Sequence, residues 1–360
     1  MNLFTLILIP FAVSLFVCWL MIRHGPKDAP DGGRKTQTAP VPSSGGVGIL
    51  TGVVAAVLAM ALQGAPVFNL VQSPPLAGVA VFAIGAALIG WADDAYGLRA
   101  LTKLIALLAV AVAAVVIGPH PTTLWIGGQI GVPLLLAVAG AAGFMFVMAN
   151  AVNFMDGANG IAMGTALIIL ALLGMMLAPN AVYSLSLNAP GMLMVLTLAS
   201  AAAIAGFLVW NLLGKLFAGD AGALSVGGLI GGATVMFAMN GPVLVPLTLC
   251  LPILIDVLLT LAWRAGRGRP LMQAHRDHAY QLLLRSGWQH GQVARLWWGM
   301  TAVCGGAVIA GPFAAMTGAY GFAPPPLDVI VFVAMLAIGS ALWVRQRTTL
   351  GRRLESEGAQ

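Results

Sequence analysis

Charge is scarce in this chain. Only 8% of its 360 residues are Asp, Glu, Lys or Arg, against about 25% in a soluble domain. That argues against a water-soluble enzyme and against a disordered protein. Cysteine is scarce too. Cys18, Cys250 and Cys304 lie singly in apolar runs, and no CxxC pair exists, so a disulfide scaffold, a zinc site and a redox site are all set aside. Acidic residues number only 11. What is abundant is apolar sequence, at 60% hydrophobic residues, with 45 glycines and 21 prolines of the kind membrane bundles tolerate. The net charge of +6 fits loops beside anionic lipid better than nucleic-acid binding.

A helix needs about 20 apolar residues to cross the hydrocarbon core. Eleven such runs are present, at about 3–22, 44–63, 76–92, 101–118, 131–149, 160–177, 191–211, 223–240, 243–263, 293–312 and 327–344. The first lacks the basic start and small-residue cleavage site of a signal peptide, and is read as a span. All 17 Lys and Arg fall in or beside loops that follow odd-numbered runs. The positive-inside rule then places the N-terminus outside and the C-terminus in the cytoplasm. The expected fold is an all-α polytopic membrane bundle of about 11 transmembrane helices. It forms one integral-membrane domain over 1–345, with a short basic tail over 346–360.

Solvated positions or helix-dipole complementation account for Asp28, Asp31, Asp328, Glu355 and Glu357. The other six acids all map to the cytoplasmic side, and ionisable groups near membrane depth are costly. Asp93 and Asp94 end the third run and Lys103 begins the fourth. Adjacent carboxylates point about 100° apart on a helix, which suggests separate tasks, although interfacial pairing with Lys103 would also account for them. Asn150, Asn153, Asp156, Gly157, Asn159 and Gly160 follow the fifth run. Carboxylate and amide oxygens suit a hard cation such as Mg²⁺, while a capped turn is the plainer explanation. Asp220, between Gly219 and Gly222, opens the eighth run, where an ordinary N-cap is the alternative. Asp256 and Arg264 are read as an ion pair two turns apart. The loop beyond them carries His275, Arg276, Asp277, His278 and, later, His290. Imidazole and guanidinium groups there suit an anionic diphosphate, and a basic loop on anionic lipid explains the arginines alone.

Together these segments resemble the polyprenyl-phosphate N-acetylhexosamine-1-phosphate transferases of the glycosyltransferase family 4 type. Asp31-Gly-Gly-Arg34-Lys35 and Pro40 to Gly48 look like that family's first cytoplasmic loop. Asp93-Asp94 with Leu98 and Lys103 looks like its DDxxGLxxxxKL motif, Asn150 to Gly160 like NxxNxxDGxxGL, and Phe217 to Gly222 like FxGDxGS. The resemblance implies an enzyme that moves a sugar 1-phosphate from a UDP-amino sugar to undecaprenyl phosphate and releases UMP. It implies a Mg²⁺ cofactor, with Mn²⁺ as an alternative, held by Asp220 and Asn153. By motif position Asp93 is the candidate base on the lipid phosphate, and Asp94 supports the acceptor or metal site. Lys103 contacts the diphosphate, Asp156 organises the site and Asn159 lies against the uracil. His275, Arg276 and His278 hold the diphosphate and sugar.

The chain departs from the pattern in three places. Ala223 replaces a serine, Leu107 a glutamine, and the loop lacks the consecutive histidines of the peptidoglycan branch. It is more similar to the bacterial branch that starts O-antigen or other surface polysaccharides. The implied location is the bacterial inner membrane with the active site facing the cytoplasm, no nucleic-acid partner, and a homodimer as one candidate assembly. The rival class is a cation-coupled transporter using Asp93, Asp156 and Asp220. It would place acids near mid-membrane beside a broken helix, whereas these lie at helix ends.

Overall fold

The computed structural model describes residues 3–28, 40–63, 73–183, 189–273, 275–316 and 326–357. Asp31, Arg34 and Lys35 lie outside them. Helix α1 (Leu3–His24) is followed by the two-residue strands β1 (Lys27–Asp28) and β2 (Val41–Pro42), which pair antiparallel. Then come α2 (Gly45–Leu62), α3 (Pro74–Tyr96) and α4 (Ala100–Ile117). A hairpin of β3 (Thr123–Trp125) and β4 (Gln129–Gly131) leads to α5 (Leu134–Met155), α6 (Ile161–Tyr183), α7 (Ala189–Asn211), α8 (Gly219–Ala238) and α9 (Leu244–Ala265). The seven-residue α10 (Ala279–Arg285) precedes α11 (His290–Val308). A π-turn at Ile309–Phe313, containing Pro312, joins α11 to α12 (Ala314–Met316), and α13 (Leu327–Glu357) closes the chain.

Among the described residues, ten helices are long and apolar enough to cross a membrane, and α6 adds the shorter apolar stretch Ile161–Leu177. The protein is an all-helical polytopic membrane protein. Several helices outrun their apolar segments at one end. α3 continues through Asp93 and Asp94, α5 through Asn150 and Asn153, and α8 begins before Asp220. A helix satisfies its own backbone whatever its side chains, so it continues past the apolar run into the interface. The polar residues are thereby held on helical turns rather than in loops.

At the opposite end the hairpin is a fastener. Val243 donates its N–H to the Trp125 carbonyl at 3.2 Å, and Gly127 donates to Asp328 Oδ2 at 3.4 Å. The hairpin thus ties α4 and α5 to the α8–α9 turn and to the start of α13.

Helix α8 is the axis of the bundle and is almost completely buried. Its glycines come in two rows. Gly228 and Gly232 face Phe82 and Val79 of α3, and Gly227 and Gly231 face Ala149 and Met145 of α5. Small residues four apart let helix backbones approach where no hydrophobic force distinguishes lipid from neighbour. At the polar end the approach is closer still. A Cβ on Gly46 of α2 would sit 2.5 Å from the Gly222 backbone, and one on Gly90 of α3 would strike the Asp220 backbone. Gly90→Ala is therefore expected to push α3 off the start of α8 and cut activity about 100-fold, the scale of a 1 Å misplacement. Turnover of the purified variant beside its thermal unfolding checks this.

Candidate active site

The turn before α8 is built first. Phe217 donates its N–H to the Pro42 carbonyl at 2.9 Å, and Gly45 and Gly46 donate to the carbonyls of Phe217 and Ala218, each at 2.8 Å. Gly219 has φ +72° and lies so close to the Ser43 carbonyl that a Cβ there would collide with it. Only glycine tolerates both conditions. The early loop around Pro42–Gly46 and the segment around Asp220 thus form one unit, although about 170 residues of chain separate them.

Asp94 completes that unit. Its Oδ1 accepts the N–H of Asp220 at 3.2 Å and its Oδ2 that of Ala221 at 3.3 Å. The N-cap residue of α8, Ala218, has no side chain to do this. Asp94 therefore caps α8 from α3, and its charge complements the positive end of the helix dipole.

Asp93 turns the other way. Gly97, at φ +64°, ends α3 and sends its N–H to the Asp93 carbonyl at 2.8 Å. The turn brings the Leu98 N–H to Asp93 Oδ1 at 2.8 Å, and Lys103 Nζ lies 2.6 Å from Oδ2. Lys103 also bonds Asp220 Oδ2, and Asn153 donates its amide N–H to Asp220 Oδ1 at 2.9 Å. Asp93, Lys103, Asp220 and Asn153 thus form one connected chain across α3, α4, α8 and α5. Asn150 stands apart, donating to the Phe146 carbonyl one turn back at 2.8 Å.

Asp156 caps the end of α5, partly buried. Burial, then the negative charges of Asp220 and Asp94, hold its carboxyl well above the usual range. Two carboxylates bond the one ammonium, and Asp94 and Asp156 both lie close enough to Asp220 to feel its charge, so the cluster is short of positive charge. Such a site fits a divalent cation. Among the described residues no three His, Cys, Asp or Glu side chains form a closed cage. Mg²⁺ ordinarily takes few protein ligands and completes its shell with water and substrate phosphates.

Asn159 sits one turn along. Its N–H goes to His290 Nδ1 at 3.2 Å, and its side-chain amide lies beside Gly214. Gly160 is held from both sides, by Asn211 Oδ1 on its N–H at 2.7 Å and by Trp298 Nε1 on its carbonyl at 2.8 Å. Asn211 in turn donates to the Leu216 carbonyl at 2.9 Å, which couples this segment to the turn before α8. The sequence does not mark Asn211 or Trp298 as parts of a site, because their roles depend on backbone partners far along the chain; His290, read with the anion-binding imidazoles of the loop, instead accepts the Asn159 N–H.

The histidine loop reaches the cluster through Phe154. Tyr280 donates its hydroxyl to the Phe154 carbonyl at 3.1 Å, and the His278 ring stacks on Phe154 at 6.2 Å between centroids. His275 lies 5.0 Å from His278, ring to ring, and Arg276 is exposed. The expected Asp256–Arg264 pair does not form. Arg264 instead bonds Asp277 and, at 2.6 Å, the Pro270 carbonyl. Asp256 accepts backbone N–H groups at the start of α10, which lie nearer than any guanidinium.

Burial, then the neighbouring His278 and Arg264, lower the pKa of His275 to about 4. It is neutral at pH 7 and can hold a phosphate by hydrogen bonding but not by charge. The unfolded chain binds a proton at His275 below about pH 6.5 that the folded chain refuses until about pH 4. This group's contribution to stability is therefore lost as the pH falls from 6.5 towards 4. His275→Gln should flatten that part of the decline in Tm, measured by thermal unfolding in detergent.

The fold is thus a polytopic membrane bundle that carries a carboxylate, amide and lysine cluster at one polar end. Residues 76–238 match the Glycosyl transferase family 4 profile. The chain is 28% identical over 325 residues to the decaprenyl-phosphate N-acetylglucosaminephosphotransferase of Mycolicibacterium smegmatis, covering 83% of this chain and 79% of the relative. It is 29% identical over 285 residues to the phospho-N-acetylmuramoyl-pentapeptide-transferase of Symbiobacterium thermophilum, covering 74% and 80%. To the enzyme of that name from Synechococcus sp. it is 30% identical over 251 residues, covering 64% and 69%. The chain belongs to glycosyl transferase family 4, the polyprenyl-phosphate N-acetylhexosamine-1-phosphate transferases, and is a phosphoglycosyl transferase. That membership replaces the transporter alternative.

Proposed function

We propose that this enzyme transfers an N-acetylhexosamine 1-phosphate, or a related amino-sugar 1-phosphate, from a UDP-sugar to undecaprenyl phosphate. It releases UMP as the first membrane step of O-antigen or another surface polysaccharide. The reaction lies on the cytoplasmic face of a bacterial inner membrane. The basic residues at the cluster's end of the bundle support that orientation.

The observation that carries the reading is the Asp93–Lys103–Asp220–Asn153 chain, with Asp156 beside it. An oxygen of the lipid phosphate attacks the β-phosphorus of the UDP-sugar. The bond from that phosphorus to the bridging oxygen breaks, and UMP departs with the bond's electrons. Asp220 and Asn153 are the residues that would hold Mg²⁺, which when bound supplies charge neutralisation to the diphosphate. Lys103 supplies a fixed positive charge to the same diphosphate. Asp94 holds the start of α8, and with it Asp220, in place. Both oxygens of Asp93 already accept hydrogen bonds. A lipid phosphate, with a second pKa of about 6, is largely ionised at pH 7. Asp93 therefore orients Lys103 rather than removing a proton. Arg276, exposed beside His275 and His278, meets the donor from the cytoplasm, and Asn159 lies against the uracil.

The loop reads His275-Arg276-Asp277-His278-Ala279-Tyr280-Gln281 and lacks the consecutive histidines of the peptidoglycan branch, which supports a donor smaller than a muramoyl pentapeptide. Purified protein with undecaprenyl phosphate, Mg²⁺ and a panel of UDP-amino sugars is expected to release UMP with at least one small donor. It should release none when EDTA replaces Mg²⁺. Release only with a muramoyl-pentapeptide donor would overturn the branch, and release with none from folded protein would overturn the reading.

A further inference from the structure

Asp256 is 2% exposed, deep among the apolar side chains of α9. A carboxylate so placed requires donors or a cation. Its Oδ1 accepts the N–H of Ala279 at 2.7 Å and the hydroxyl of Thr260 at 3.3 Å, and its Oδ2 accepts the N–H of Tyr280 at 3.4 Å. These neutral donors could be satisfied by an amide or hydroxyl oxygen, so they do not account for a charge. The Arg347 guanidinium acts on it electrostatically, and one further polar group faces it at close range. His278 Nδ1 lies 3.8 Å from Asp256 Oδ1, within ion-pair reach, and makes no hydrogen bond of ordinary geometry, although the ring also faces the Gln281 N–H of the capping box that opens α10. The His278 side chain is 4% exposed. Its ring is confined by Phe154 on one side, Tyr280 at 5.9 Å and His275 at 5.0 Å. Phe154 directly follows Asn153, the residue bonded to Asp220.

We propose that Asp256 is a positioning residue that keeps a proton on His278 Nδ1 and so fixes which ring nitrogen His278 offers to the donor. A carboxylate behind an imidazole sets its tautomer and orientation, and the two nitrogens of histidine are not interchangeable. The same carboxylate holds the first turn of α10. One buried charge therefore sets the loop's backbone and the chemistry of its innermost histidine together. The consequence for donor binding rests on the transferase reading above, whereas the state of the ring does not.

Two readouts separate these. ¹⁵N-histidine NMR of the protein in lipid, with His278 assigned by its absence in His278→Gln, is expected to show a proton on Nδ1. Asp256→Asn keeps an oxygen for Ala279 and removes the charge, and it should change that signature. Asp256→Glu keeps the charge and should preserve it. In UMP-release assays Asp256→Asn should raise the donor KM about tenfold, the lower range for losing such a partner. The double variant with His278→Gln should be no worse than His278→Gln alone. An unchanged His278 signature in Asp256→Asn, its loss in Asp256→Glu, or losses that multiply in the double variant would overturn the proposal. If the wild type releases no UMP, the transferase reading fails and the NMR result still decides the Asp256–His278 claim.

Discussion

Replacing Asp220 with alanine is expected to lower kcat roughly a thousandfold, the upper range for removing one preorganised electrostatic group. Among the described residues, Asp220 is the one that bonds both Lys103 and Asn153. Its loss removes a candidate ligand of the cation and half of the anchorage of the lysine. The backbone N–H groups at residues 220 and 221 still bond Asp94, so α8 keeps its cap and the fold should survive. Turnover measured beside Tm in the same detergent separates the two effects. A large fall in Tm would mean that Asp220 is structural first. A mild fall in kcat with intact Tm would remove it from the centre of the site.

Lys103→Met should have the second-largest effect, and on both quantities. Among the described residues the ammonium is the one positive charge paired with Asp93 and Asp220, and the three side chains retain 13%, 20% and 28% exposure. Removing a cation from a fully buried pair costs about 3–5 kcal/mol. Partial exposure screens the carboxylates left behind, so about 1–3 kcal/mol is expected here. Adding Asp93→Asn to Lys103→Met removes one of the two opposed charges and should recover much of the stability. It should recover none of the activity, because the positive charge on the diphosphate remains absent. Thermal unfolding and UMP release on the single and double variants give all four corners of this cycle.

The helices were legible because spanning a membrane imposes length and hydropathy at once. Every apolar run became a helix, including α6 over Ile161–Tyr183. The helix ends were less legible. The apolar count stopped α3 near residue 92 and α5 near residue 149, but the backbone ladder carried on through Asp94 and Asn153. That difference converts loop residues into residues on rigid turns, which is what lets Asp93 and Asp94 face different partners. The reading of two adjacent carboxylates with separate tasks came from helical geometry, and it matches their observed bonds.

What could not be read were pairings between backbone groups and distant side chains. Asp94 capping α8 and Asp256 holding the start of α10 are the same device. In each, a carboxylate on one helix satisfies the free N–H groups of another. Nothing in the spacing of either residue announces its partner. Arg264 was assigned to Asp256 by proximity along the helix, but the turn after α9 brings Asp277 to it instead, and Arg347 from α13 joins the same carboxylate. The β3–β4 hairpin leaves little trace in the sequence because its strands have three residues each.

The central claim is that phosphorus moves with the sugar. The most direct test uses a UDP-amino sugar carrying ³²P in its β-phosphate and ³H in the sugar, incubated with undecaprenyl phosphate, Mg²⁺ and the enzyme. Both labels should enter the lipid fraction in the donor's own ratio, with unlabelled UMP left in the water and neither label transferred by Asp220→Ala. Tritium in the lipid with ³²P retained in UDP would show transfer of the sugar alone, and would contradict the account.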